Sequence, residues 1–354
     1  MNSVRPVALA TAAFAVLTLA ACTAQPAASP TESESPAATA APVADGTFTL
    51  YAGRDQELID PLIQQFEAAT GISVEVRYAG TTELAALLQE EGAASPADVY
   101  LSQDAGALGA VAKAGLFATL PESITSTVNA GFTSTDGSWV GITGRARVIV
   151  VDSEQVAESD IPVSIHELTD PKWRGQVAIA PTNASFQSFV TALRVLEGDD
   201  VARTWLEDMI ANDVQIYDKN GTILNAVNAG EVKLGLINHY YWYKLKGEIG
   251  VDAMRAQLSF PTAGDAGAIV NVTGAGLLAG AANDADALAF IEYLVSAAGQ
   301  QYFVDNTYEY PLIAGITAPE GLPALGSLTN PGLDLSDLDT LGDTTALLAQ
   351  VGLL

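Results

Sequence analysis

The densest run of chemically capable side chains is Asn238-His239-Tyr240-Tyr241-Trp242-Tyr243, which follows the apolar stretch Leu234 to Ile237. Three tyrosines, a tryptophan and a histidine directly after a buried-looking strand can do one of two things. They can fill a core, as aromatics ordinarily do, or they can line a ligand site with phenol and imidazole groups. Catalysis is not signalled. His166 and His239 lack metalloprotease spacing, no Gly-x-Ser-x-Gly elbow occurs, and a single cysteine leaves few nucleophiles. Gly274-Ala275-Gly276-Leu277-Leu278-Ala279 meets a loose dinucleotide fingerprint, with Glu292 at about the usual distance. That glutamate sits inside a helical pattern rather than at a strand end, and close packing of a returning strand explains the glycines better. His239, beside Tyr240, reads first as an unligated surface histidine, with support of a neighbouring ligand as the alternative.

Side chains converge only if regular elements aim them, and the spacing predicts such elements. Phe48 to Tyr51 is β-prone, and Asp55 stands where it can cap a helix with Leu58, Ile59, Leu62, Ile63 and Phe66 on one face. Ser73 to Tyr78 alternates as a strand, Leu84, Leu87 and Leu88 mark a second helix, Asp98 to Leu101 is a third strand, and Asp104 to Gly115 has helical composition. A β-α-β-α-β succession implies a parallel sheet covered by helices. Strands at Arg147 to Val151, Gln176 to Ala180 and Leu234 to Ile237, with helices at Phe186 to Leu196 and Ala202 to Ile210, repeat the plan. The expected fold is α/β with two lobes. Ligands of open α/β sheets sit beyond the carboxyl ends of strands, which directs attention to Tyr51–Asp55, Ser102–Asp104, Pro181–Ser185 and Asn238–Tyr241.

Length agrees with two lobes, since 354 residues exceed the roughly 250–300 at which single cores stop growing. With 42 acidic against 15 basic residues and a net charge of −27, the chain lacks the clustered Lys and Arg that a phosphate backbone demands, so nucleic acid is excluded as a partner. Residues 1–22 carry Arg5, an apolar run from Pro6 to Ala21, and Cys22, which is the organisation of an export signal too short for a comfortable membrane span. Leu19-Ala20-Ala21-Cys22 resembles the lipobox of bacterial lipoproteins. That likeness implies cleavage before Cys22, lipidation of its thiol, and an extracytoplasmic body anchored to the bacterial cell membrane. Residues 23–46, with Pro26, Pro30, Pro36 and Pro42 among Ala, Ser and Thr, read as a disordered tether.

The aromatic segment Leu236-Ile237-Asn238-His239-Tyr240-Tyr241-Trp242 resembles the tyrosine-pair segment of bacterial ferric-iron binding proteins, the solute receptors of iron ABC importers. Further segments agree in order. Leu50-Tyr51-Ala52-Gly53-Arg54 is similar to that family's opening strand, and Pro96-Ala97-Asp98-Val99-Tyr100 to its third. Asp170-Pro171-Lys172-Trp173-Arg174-Gly175 with Ala180-Pro181-Thr182-Asn183 resembles its approach to the second lobe, and Tyr308-Glu309-Tyr310-Pro311-Leu312 a late segment, so the likeness spans 47–315. It implies a periplasmic-binding-protein fold: two lobes, each a mostly parallel sheet covered by helices, with the ligand cleft between them. Residues 47–144 with 270–320 would form one lobe and 145–269 with 321–354 the other, with hinges near Gly144 and Val270. The implied function is binding of Fe³⁺ and its delivery to an ABC permease with its ATPase, by a monomer that is not an enzyme.

By the same resemblance, Tyr240 and Tyr241 hold the iron as phenolates. Elementary chemistry agrees, because Fe³⁺ is a small hard cation that prefers anionic oxygen. A free phenol has a pKa near ~10 and loses its proton only to the metal's charge. The pattern departs elsewhere. Asp55 falls where many members place a histidine ligand and can supply negative charge. Gln103 falls where one subgroup has a glutamate and offers a neutral carbonyl oxygen, with Asp104 beside it. Val151 stands where another subgroup has an additional tyrosine. The resemblance maps phosphate- or carbonate-holding positions onto Asn183, Ala184, Ser185, Asn220 and Asn238, the first three at the start of a helix. Arg54 is a further anion-binding candidate because a guanidinium matches carbonate with a planar fork; Arg145 and Arg147 are weaker candidates that read first as structural or surface arginines. Two other readings stay open: a binding protein of this fold for a small organic or oxyanion solute, for which Gln103 and Val151 speak, and a surface hydrolase, against which the shortage of His and Cys speaks.

Overall fold

The computed structural model describes residues 44–129, 131–328 and 333–354. The expected export signal over 1–22, its lipidation at Cys22, and the tether up to residue 43 lie outside the described residues. Order begins before residue 47: the backbone N–H groups of Asp45 and Gly46 both donate to Asp286 Oδ2, at 2.9 and 2.8 Å.

In chain order the elements are β1 (Thr47–Ala52), α1 (Gln56–Thr70), β2 (Ser73–Tyr78), α2 (Thr81–Glu91), β3 (Val99–Ser102), α3 (Ala105–Lys113), α4 (Glu122–Thr125), β4 (Val140–Asp152), β5 (Val177–Ile179), α5 (Ala184–Glu197), α6 (Asp199–Ala211), β6 (Gln215–Ile216), α7 (Asn220–Ala229), β7 (Leu234–Asn238), α8 (Tyr240–Ile249), β8 (Ala256–Ser259), β9 (Val270–Leu277), α9 (Ala285–Leu294), α10 (Ala297–Thr307), β10 (Tyr310–Pro311) and α11 (Leu341–Gln350). The predicted helical faces are the buried ones. In α1, Ile59, Leu62, Ile63 and Phe66 are covered, and Phe66 meets Phe48 of β1 and Phe290 of α9 in a three-ring cluster. Asp55 occupies the N-cap position of α1, but its side chain makes no capping hydrogen bond, contrary to the role the sequence offered it.

Strands follow the order β2-β1-β3-β9-β4-β7-β5-β6, with β10 and β8 also paired to β4. The outer strands are parallel as expected: β1 with β2 and β3, β5 with β6 and β7. The middle departs from the expected parallel sheet, because β9 runs against β3 and β4, and β7 and β8 run against β4. The physical reason is β4. All thirteen of its residues are buried, and it serves two sheets in turn. Up to Ala146, opposite Val270, it pairs with β9; from Arg147, opposite Asn238, it pairs with β7. Side chains alternate across a strand. Beyond the changeover, Val148 and Val150 therefore join a small core with Ile223 and Ile237, while Ile149 and Val151 join the large one. Val151 is thus core, paired with Leu234.

The acidic C-terminal piece folds back on the body. The short turn Leu335–Asp339 packs against both α3 and α5, and α11 lies along α5. Lys113 of α3 reaches Asp339 at 2.7 Å. This approach is close enough that a Cβ on Gly106 would sit 2.6 Å from the Leu338 carbonyl oxygen. Alanine is the better helix former by about 1 kcal/mol, yet Gly106→Ala should lower stability by about 1–3 kcal/mol because the clash is with backbone. Gly342→Ala in α11, where the added Cβ meets nothing within 4 Å, should raise it by up to about 1 kcal/mol. Denaturant unfolding of the two variants tests the opposite signs.

Candidate metal centre

Strand β7 ends at Asn238 and helix α8 begins at Tyr240, so the two phenols emerge at a strand's carboxyl end with one residue between. Their rings stack, centroids 4.4 Å apart and planes inclined by 27°. They form one wall of a cavity of about 40 Å³ whose other lining residues are Gln103, Asp104, Arg145, Asn183, Ala184 and Ser185. Burial pushes the Tyr240 phenol above its ordinary pKa, and Tyr241 adds to the shift against the pull of Arg145 and Arg54. Without a cation beside it, that phenol keeps its proton.

The cavity therefore unites seven of the residues singled out in the sequence and leaves four outside. Gln103 is held by its backbone, whose N–H donates to Thr81 Oγ1 at 3.1 Å. Asp104 lines the cavity with its carboxylate already engaged: Oδ1 caps α3 by accepting from Gly106 N at 2.7 Å, and Oδ2 accepts from Asn271 Nδ2 at 2.6 Å and from the hydroxyl of Ser188 in α5. Asn183 caps α5, its Oδ1 accepting from Ser185 N at 3.0 Å and Ser185 Oγ at 2.7 Å. Asn220 and Asn238 are buried behind the wall rather than in it. Asp55 is exposed at the start of α1 and does not line the cavity.

The arginines exchange the roles expected of them. Arg54 is committed elsewhere: Nη2 meets Glu309 Oε1 at 3.0 Å, Nη1 lies 3.4 Å from Oε2, and Nη1 also donates to Thr273 Oγ1. Glu309 is 0% exposed and further receives the hydroxyl of Thr143. Burial alone would raise the Glu309 carboxyl, but Arg54 and Arg145 hold it below the usual range. Arg147 is neither surface nor site lining. Its Nη1 donates to Ser185 Oγ, Asn220 Oδ1 and Asn238 Oδ1 at 3.2–3.4 Å, its Nη2 to the Leu236 carbonyl at 3.0 Å, and its plane lies over Phe186 and Phe189. Burial lowers its pKa to about 9. Arg147 thus holds the predicted anion positions from behind. Arg145 is 3% exposed and faces the cavity, and its side chain makes no hydrogen bond among the described residues; its Nε has no partner.

His239 contradicts the surface reading, being fully buried. Ala146 N–H donates to its Nδ1 at 3.1 Å, and its Nε2 donates to the Tyr308 carbonyl at 2.9 Å. Burial lowers its pKa to about 4, so the ring is neutral at pH 7. No local signal in the sequence marks Glu309 as the mate of Arg54, 255 positions away.

Residues 94–330 match the family model described as bacterial extracellular solute-binding protein. The chain is 34% identical over 319 residues to the major ferric iron-binding protein of Neisseria meningitidis, covering 90% of this chain and 96% of the relative. It is 33% identical over 312 residues to the Fe(3+)-binding periplasmic protein of Serratia marcescens, covering 88% and 92%. Among solved structures, the iron-bound HitA of Pseudomonas aeruginosa superposes with a TM-score of 0.80 at 35% identity, over 86% of this chain and 99% of that one. The Trichodesmium protein solved with iron and citrate gives 0.76 at 30% identity, over 87% and 100%.

The buried Arg54–Glu309 pair carries a pH signature. Glu309→Gln leaves Arg54 short of its counter-charge and should cost about 3–5 kcal/mol at pH 7. A carboxyl whose folded pKa is depressed stabilises above its unfolded value, near 4.5, and loses that contribution as pH falls through the folded value. The gap between wild type and Glu309→Gln in urea unfolding should therefore narrow steadily below about pH 4.

Proposed function

Because the chain belongs to the bacterial extracellular solute-binding proteins, we propose that it is the extracytoplasmic receptor that binds ferric iron and delivers it to an ABC importer. It is a carrier and not an enzyme. The observation that carries this reading is the stacked pair of phenols in the wall of a small cavity faced by a buried arginine whose side chain makes no hydrogen bond among the described residues. Tyr240 and Tyr241 bind Fe³⁺ as phenolates and cancel two of its three charges. A small anion, carbonate or phosphate, supplies the rest and lies between the metal and Arg145, with the Ser185 hydroxyl and the start of α5 beside it. Gln103 lends its amide oxygen. Asp104 lines the cavity but acts through its contacts to Ser188 and Asn271, and Asp55 is not counted among the ligands.

The volume favours an ion over an organic solute. Pockets for organic ligands run to about 300–1,000 Å³. A cavity of about 40 Å³ holds on the order of three water-sized groups, enough for a cation and a small anion. The hydrolase reading has no support from a family of solute-binding proteins. In this reading Cys22 carries the lipid, residues 23–46 hold the body off the membrane, and the protein meets its permease and ATPase as a monomer. Residues 47–144 with 270–320 and residues 145–269 with 321–354 are the lobes. They turn about β4 and β9, and the C-terminal turn on α3 and α5 adds a third tie.

Ferric titration of the full chain in chelator-free bicarbonate buffer should produce a saturable visible phenolate-to-iron band. The Tyr240→Phe, Tyr241→Phe double variant should lack it, and a wild-type chain without the band would sink the reading. Arg145→Ala, checked for folding by circular dichroism, should lose iron to a competing chelator about 10–100-fold more readily in bicarbonate.

A further inference from the structure

His239 immediately precedes the proposed ferric ligands but does not line their cavity, and its surroundings give it another task. The β4–β7 ladder places Arg147 opposite Asn238, so the next pair along is Ala146 and His239. A strand continuing there would bond Ala146 through backbone groups alone. One such bond is made, with His239 N–H donating to the Ala146 carbonyl at 3.0 Å. The His239 carbonyl is unavailable for another, because it has turned into α8 and accepts from Trp242 N at 3.1 Å. Ala146 N–H, buried where β4 changes sheets, goes to the imidazole Nδ1 instead. A side chain thus closes the ladder, and strand becomes helix within one residue.

The second nitrogen is also used. An accepting Nδ1 carries no proton, so Nε2 carries it and donates to the Tyr308 carbonyl. Tyr308 has a left-handed φ of 60° and precedes Glu309, the mate of Arg54. The ring is wedged as well as bonded: Tyr240 meets it edge-on at 6.0 Å and 89°, and Tyr310 lies 5.0 Å away. Rotating it would leave two buried backbone groups unpaired.

We propose that His239 is the positioning residue of the tyrosine pair, its doubly bonded ring setting the angle at which α8 leaves β7 and so the place of both phenols in the cavity. The inference rests on the reading of those phenols as ferric ligands. The test compares iron-loaded full-length wild type with His239→Ala and His239→Asn, the latter keeping an acceptor oxygen near the Nδ1 position. Readouts are the position of the ferric band, the rate of iron loss to a chelator, and circular dichroism as a check of folding. His239→Ala should shift the band and speed iron loss about tenfold or more, and His239→Asn should restore most of both. If the alanine variant fails to fold, His239→Gln takes its place, since its longer amide offers no acceptor at the Nδ1 position. A folded alanine or glutamine variant with wild-type band and release overturns the proposal, as does an asparagine variant no better than either. A wild-type chain with no band overturns the ferric reading and this inference together, whereas a wild-type band unaltered in the variants overturns this inference alone.

Discussion

An arginine out of water is tolerated only where something shares its charge, and β4 sets that problem on one of its faces. Alternation along the strand puts Thr143, Arg145 and Arg147 on the same side, all of them buried. Each is answered differently. Thr143 joins Arg54 in satisfying Glu309. Arg147 is given a carbonyl, a hydroxyl, two amide oxygens and two aromatic faces, a neutral environment that leaves its charge only partly compensated. Arg145 is given no hydrogen-bonding partner among the described residues, only the cavity. Its charge is felt at Glu309, but a buried guanidinium short of hydrogen-bond acceptors is costly, and in the proposed reading an anion in the cavity lowers that cost.

The phenols complete the logic from the other side. Burial favours the neutral form of Tyr240, as its upward shift shows, so metal binding in the proposed reading displaces protons as it proceeds. A trivalent cation offsets that displacement far better than a divalent one, because each phenolate gains directly from the extra charge. A chain carrying a net charge of −27 thus keeps a positive group, Arg145, at the cavity, and in the proposed reading the negative charge of the site is generated there by phenol ionisation and by the anion.

The ties around the cavity run between segments far apart in sequence. Ser188 of α5 donates to Asp104 ahead of α3, His239 joins the changeover of β4 to Tyr308, and the C-terminal turn lies on α3 and α5. These contacts cross between the two sheets that β4 serves, so in the proposed reading a turn of the lobes about β4 and β9 would load them first. Ligand binding can bias such a motion only by the difference in its contacts between the two arrangements, and a site lined by residues from both sides of β4 supplies that difference.

Local pattern was enough for much of this. Periodicity located the helices and the parallel outer strands, because the buried face of an amphipathic helix is written at fixed spacing. The apolar run ending at Asn238 marked where Tyr240 and Tyr241 would emerge, since the carboxyl end of a strand in such a sheet opens on the cleft. What sequence could not supply was partnership. Arg54 looked like the anion's arginine and Arg145 the weaker candidate; only the return of Glu309 from 255 residues away occupies the first and leaves the second without a side-chain hydrogen bond among the described residues. Asp55 looked like a helix cap and Asp104 like a spare carboxylate, until their surroundings left one exposed and engaged the other. His239 looked like a surface residue because nothing nearby in sequence shows that β4 brings a lone N–H to it. A side chain's type and local spacing are properties of the sequence. Whether its charge or its hydrogen-bonding groups are already satisfied depends on segments that only folding brings together.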